Sequence, residues 1–130
     1  MEARDIMTKD IITFTPDMSI DEAQDALLRY RIHGAPVVDS TKRLIGMISL
    51  TDLSARFGDR VLDVMNPDPV SATEDTSVEQ IAGLMLDQMV RRIPIVNDGG
   101  VVVGIVSASD IIRAFLNLHE ERRPIAAGQC

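Results

Sequence analysis

Ser107, Ser109 and Asp110 follow the apolar run "VVVGIV", and Ser49, Thr51 and Asp52 follow "LIGMI". In both places, residues suited to a strand give way at once to hydroxyls and a carboxylate. A strand that stops where a helix starts leaves unpaired backbone N–H groups at the positive end of a helix dipole. Those amides and hydroxyls can donate to the oxygens of an anion such as phosphate. The carboxylate would repel that anion, but it is well suited to accept from two neighbouring hydroxyl groups. The aliphatic residues just before offer a flat apolar slot. An isolated S-x-S/T-D also has a plainer meaning. Thr51 or Ser109 would cap a helix, with Asp52 or Asp110 in its first turn, where the dipole favours an acid.

The recurrence is part of a larger one. Sliding the sequence by 58 residues aligns its halves without a gap, and 12 positions between residues 5 and 53 are identical to their partners. "DIM" at Asp5 meets "DVM" at Asp63, "TPDMSI" at Thr15 meets "TEDTSV" at Thr73, and "APVVD" at Ala35 meets "IPIVN" at Ile93. The identities fall on Pro, Gly, Asp and Ser, where backbone geometry or polar chemistry is specified. The periodicity therefore marks a duplicated unit, with a first copy over 1–58, a second over 59–118 and a tail over 119–130.

Each copy reads β-α-β-β-α. A short apolar piece (Ile11 to Phe14; Val70 to Ala72) precedes a helix opened by Ser19 or Ser77. In the second copy Val78, Ile81, Ala82, Met85 and Met89 form one helical stripe. A Pro-bearing strand follows (Ala35 to Asp39; Ile93 to Asn97), then a turn, "NDGG" in the second copy. A second strand (Arg43 to Ser49; Val101 to Ser107) leads to a closing helix from Thr51 or Ser109. The crossover makes two strands parallel and the hairpin adds an antiparallel neighbour. The expected class is α/β (α+β-like), two such repeats packed sheet to sheet with pseudo-two-fold symmetry. Helices apolar on more than one side, as in "GLMLDQMV" and "IIRAFLNL", need a second surface to pack on, which points to a homodimer or a larger assembly, the plainer alternative being a slightly thicker core.

Composition excludes several classes. The chain has 130 residues, 45% of them hydrophobic, with four aromatics (three Phe, one Tyr), so its core is aliphatic. A formal charge of −7 argues against a nucleic-acid backbone as partner, since that needs a concentrated positive field. No apolar run approaches the ~20 residues of a membrane span, and no signal-peptide pattern opens the chain. With Cys130 as the single cysteine, no internal disulfide forms. A cytoplasmic location is expected.

The halves resemble CBS domains, the tandem modules named after cystathionine β-synthase, and the pair resembles a Bateman module standing alone. The marks are "DIM" and "DVM", "HGAPVV" and "RRIPIV", and the endings "GMISLTD" and "GIVSASD". The resemblance implies two clefts between the copies, each taking an adenosine-containing ligand such as AMP, ADP, ATP or S-adenosylmethionine. It implies that cleft one uses Ile105, Ser107, Ser109 and Asp110 with Ile11, Ile12, Ile32, His33, Gly34 and Arg92. It implies that cleft two uses Met47, Ser49, Thr51 and Asp52 with Pro69, Val70, Val90 and Arg91. Asp would hold the ribose and Arg the phosphates. Arg91 and Arg92 also read as solvated arginines at a helix C-terminus. His33-Gly34, standing where the second copy has Arg91-Arg92, makes the clefts unequal.

No cofactor is required by this reading. Asp52 and Asp110 can be imagined as acid and base, but they belong to equivalent positions of separate clefts. Two histidines and a terminal cysteine build neither a metal cluster nor a thiol–His pair. Catalysis is not expected. The expected role is a regulatory module that signals ligand binding to a protein partner in trans. The alternative is an assembly module with empty clefts.

Overall fold

The computed structural model describes residues 1–55 and 58–119. The expected tail from Glu120 onward lies outside the described residues. The elements run α1 (Ala3–Ile6), α2 (Ile20–Tyr30), β1 (Gly34–Val38), β2 (Leu44–Ser49), α3 (Leu50–Ala55), α4 (Val61–Val64), α5 (Val78–Gln88), β3 (Arg92–Val96), β4 (Val102–Ser107) and α6 (Ala108–His119).

The duplication is visible in local chemistry. Ser19 Oγ accepts from the Glu22 amide at 3.1 Å to start α2, and Ser77 Oγ accepts from the Gln80 amide at 3.0 Å to start α5. Both helices end on a left-handed residue, Arg31 (φ 56°) and Met89 (φ 55°). Ile81 and Met85 of the expected stripe are buried, whereas Met89 is 91% exposed. It falls in the cap, where the helical period no longer sets its direction. In the hairpins, Asp39 Oδ1 accepts from the Thr41 and Arg43 amides and Asn97 Oδ1 from those of Gly99 and Val101. The left-handed turn position is Lys42 (φ 69°) in the first copy and Gly100 (φ 80°) in the second.

Two antiparallel two-stranded sheets result, β1 with β2 and β3 with β4. Their registers match: Gly34 faces Ser49 as Arg92 faces Ser107. The first strand of each copy narrows to one parallel bridge, Phe14 to Val37 and Ala72 to Ile95. Phe14 donates to Pro36 and receives from Val38, and Ala72 does the same with Pro94 and Val96. The residues before each bridge leave the ladder to line a cleft; Pro69 has no N–H to give a ladder.

Two short helices, α1 and α4, were not legible as helices. Each is closed by an acid that turns back on the chain, Asp5 Oδ2 accepting from the Glu2 amide and Asp63 Oδ2 from the Arg60 amide. They also exchange places. Ala3 is fully buried in the second copy's core, with Ala72, Ile81, Ile93 and Val106. Val61 is fully buried in the first copy's core, with Phe14, Leu27, Val37 and Ile48. Backbone bonds seal both, including Ala3 N–H to Thr76 and Val61 N–H to Met18, each 2.8 Å. The cores are aliphatic except for Phe14. Truncating a residue such as Leu27, fully buried, would cost about 2–5 kcal/mol. Among the described residues no helix is long and apolar enough to cross a membrane.

Candidate nucleotide clefts

The exchanged segments create two hollows. Residues just after α1 run antiparallel to β4, with Thr8 and Ile105 trading both backbone bonds at 2.9 and 3.0 Å. Residues just after α4 do the same to β2, Asn66 and Met47 trading theirs at 2.8 and 3.0 Å. Each hollow is therefore walled by both copies.

Cleft one encloses about 280 Å³. Ile11, Ile12, Ile32, His33, Gly34, Arg92, Ile105, Ser107, Ser109 and Asp110 all line it, together with Thr8, Asp10, Arg31 and Pro36. Cleft two encloses about 400 Å³. Met47, Ser49, Thr51, Asp52, Pro69, Val70, Val90 and Arg91 all line it, with Asn66, Asp68, Gln88 and Met89 among the additions. Gly34 and Arg92 line both. The residues missed had a signal. Asp10 and Asp68 are identical partners across the 58-residue shift, and Thr8 and Asn66 are matched polar partners.

The hydroxyl–acid knots differ from expectation in one respect. The helix caps are Ser49 and Ser107, not Thr51 and Ser109, because α3 and α6 begin one residue earlier, at Leu50 and Ala108. Asp52 Oδ2 accepts from the Ser49 amide and hydroxyl, both at 2.9 Å, and Ser49 Oγ accepts from the Asp52 amide at 3.2 Å. Asp110 Oδ2 accepts from the Ser107 amide at 2.8 Å, and Ser107 Oγ accepts from the Asp110 amide at 3.1 Å. The amides of Leu50 and Ala108 donate to the carbonyls of His33 and Arg91. The first-turn donors left over are the amides of Thr51 and Ser109 and the exposed hydroxyls of the same two residues.

One carboxylate oxygen of each acid is thus fixed by the cap, and the second faces different company. Asp110 Oδ1 accepts from Arg113 Nη1 at 3.2 Å. The partner of Arg113 in the first copy is Ala55, and Asp52 Oδ1 has no such cation among the described residues. Arg91 and Arg92 are not at a helix C-terminus. α5 ends at Gln88, Arg91 lies exposed in the following turn, and Arg92 opens β3 half-buried. Burial first, and the neighbouring Arg91 charge second, lower the basicity of the Arg92 guanidinium. Among the described residues no group of His, Cys, Asp and Glu is placed to hold a metal ion.

Comparison with known proteins places this geometry. The family profile described as "CBS domain" matches residues 3–59 and 61–117. Inosine-5′-monophosphate dehydrogenase of Methanocaldococcus jannaschii is 38% identical over 114 residues, covering 86% of this chain. The chain spans only 23% of that enzyme's length. The CBS domain pair of protein MJ0100, solved with 5′-methylthioadenosine and S-adenosyl-L-methionine, superposes with a TM-score of 0.86 at 31% identity, over 91% of this chain and 98% of that one. CBSX2 in complex with AMP superposes with a TM-score of 0.85 at 30% identity, over 91% and 98% of the two chains.

Proposed function

This chain belongs to the CBS domain family as a tandem pair, and on that footing we propose that it is a regulatory module whose clefts bind an adenosine-containing ligand. The observation that carries this reading is the repeated pairing of a half-buried acid with hydroxyl and amide donors. Each set sits beneath an aliphatic strand inside a cleft walled by both copies. The relatives that hold AMP, and 5′-methylthioadenosine with S-adenosylmethionine, support the ligand class.

In cleft one, Asp110 accepts from the ribose hydroxyls while Ser109 donates to phosphate or carboxylate oxygens. Ile11, Ile12 and Ile105 enclose the adenine. In cleft two, Asp52, Thr51, Met47, Val70 and Val90 take the same parts, and Arg91 reaches the anionic end. Ligand spanning the copies favours one packing of the pair over others, and a partner protein in trans reads that packing.

The pair works as a homodimer in this proposal. Leu86 of α5 and Ile112 and Leu116 of α6 are 81, 59 and 48% exposed. A second copy of the same face covers such a patch with self-complementary chemistry. Sedimentation velocity on wild type and on Leu86→Glu with Ile112→Glu tests this; a dimer that becomes a monomer is expected, and a wild-type monomer contradicts it. The ligand reading is tested by the thermal shift with AMP, ADP, ATP and S-adenosylmethionine, because a ligand that binds the folded state raises the melting temperature. Failure of all four to move it would leave the assembly role.

A further inference from the structure

We propose that Arg92 is a cation shared by the two clefts, so that an anionic group held in one is held at the expense of the other. The proposal rests on the nucleotide reading above and concerns how its two sites communicate.

Arg92 lines both hollows. Its partner across the repeat is Gly34, which has no side chain. A Cβ built at Gly34 would stand 3.4 Å from Arg92 Nη1 and 3.5 Å from its Cδ. It would also lie 2.9 Å from the Ile48 carbonyl oxygen. The Arg92 side chain therefore reaches its own counterpart across the repeat, Gly34, and occupies room that a side chain there would need. Symmetry would place a cation at both of these equivalent positions; the sequence has one, at Arg92.

Among the described residues, the other arginines that line the clefts are divided between them. Arg31 lines cleft one, Arg91 lines cleft two, and both are exposed. Arg92 is half-buried, where a charge interacts more strongly than at the surface. No carboxylate among the described residues pairs with it. A single guanidinium charge offsets one anionic charge, and two anionic groups drawn to it from opposite sides repel each other. An anion bound in one cleft therefore neutralises Arg92 and leaves its own charge close to the other. The second anion is expected to bind roughly tenfold or more weakly, on the scale of a charge-assisted hydrogen bond.

Calorimetric titration with AMP and with adenosine, on wild type, Arg92→Ala, Asp52→Ala and Asp110→Ala, tests the idea. Wild type is expected to bind AMP in two steps at least tenfold apart. Disabling the cleft that fills first should raise AMP affinity in the other above its wild-type second step, because coupling between sites is reciprocal. Adenosine, lacking the anion, should show no such gain, and Arg92→Ala should abolish the gain for AMP. Arg92→Gln, checked by its melting curve, replaces Arg92→Ala if the latter does not fold. Two AMP sites whose affinities ignore each other, or a gain that survives loss of Arg92, would overturn the sharing while leaving the nucleotide reading intact. Absence of AMP binding would overturn the sharing, and the nucleotide reading falls with it only if ADP, ATP and S-adenosylmethionine also fail to bind.

Discussion

Ser107 and Asp110 hold each other: the serine amide donates to Asp110 Oδ2 at 2.8 Å, and the aspartate amide donates to Ser107 Oγ at 3.1 Å. Ser49 and Asp52 repeat the arrangement. The acid proposed to hold the sugar is thus also the acid that starts the helix beneath it. Asp110→Ala should lose the reciprocal cap, costing about 0.5–2 kcal/mol, as well as ligand. Asp110→Asn keeps an acceptor for the Ser107 amide and should retain more of the stability while still weakening nucleotide binding. Urea midpoints and ligand titrations on both variants check this; equal stability loss in the two would show that the cap does not depend on the side-chain acceptor.

Arg113 competes with the proposed ribose for Asp110 Oδ1, which it meets at 3.2 Å. Arg113 is half-exposed over a mostly buried Asp110, and such a solvent-open pair is worth about 0–1 kcal/mol. Arg113→Ala should therefore tighten binding in cleft one by up to about fivefold with little change in melting temperature. Cleft two, with Ala55 at the matching position, should not respond. Weaker binding in cleft one would mean that Arg113 itself contacts the ligand.

The exchanged segments can be tested at two glycines. A Cβ at Gly104 would lie 2.7 Å from Met7 Sδ and 3.1 Å from the Thr8 carbonyl oxygen. At Gly46 it would lie 2.6 Å from Met65 Sδ and 2.9 Å from the Asn66 carbonyl oxygen. Either substitution to Ala should destabilise by about 1–3 kcal/mol through overpacking. Because the flexible Met7 is one obstacle, Gly104→Ala with Met7→Ala should cost less than the sum of the single changes. Strict additivity in denaturant unfolding would contradict the close approach.

Three carboxyls carry a pH signature. Asp39 is held below the usual carboxylate range chiefly by the Thr41 hydroxyl, Asp63 by the Arg60 amide and Asp75 by the Thr73 hydroxyl. With folded values below the unfolded one of about 3.9, their contribution to stability is full above that pH. It is lost as acid takes the solution down through the folded values. The urea midpoint should therefore fall below about pH 4. Asn at all three positions should flatten that fall, and an unchanged slope would locate the acid sensitivity elsewhere.

The repeat and the order of its main elements were legible because a 58-residue period exposes equivalent positions twice, while the cleft linings were legible through the resemblance to CBS domains. Pro36 and Pro94, Gly46 and Gly104, and Asp52 and Asp110 each mark a backbone or polar requirement that a single copy would leave ambiguous. The four-residue helices α1 and α4 were not legible. They are too short for a hydrophobic period, and their burial depends on the opposite copy, as Ala3 and Val61 show. The caps were misplaced by two residues because Ser, Thr and Ser in "SLTD" and "SASD" have the same capping chemistry, and only backbone geometry selects Ser49 and Ser107. The close approach of Arg92 to Gly34, which leaves no room there for a side chain, is a relation between distant residues that no local pattern records.

Isothermal titration of the intact chain with AMP, set beside the Asp52→Ala/Asp110→Ala double variant, tests the central claim most directly. The account predicts saturable binding by wild type and loss of at least tenfold in affinity in a double variant that still unfolds cooperatively. Wild-type affinity in that folded double variant would contradict it.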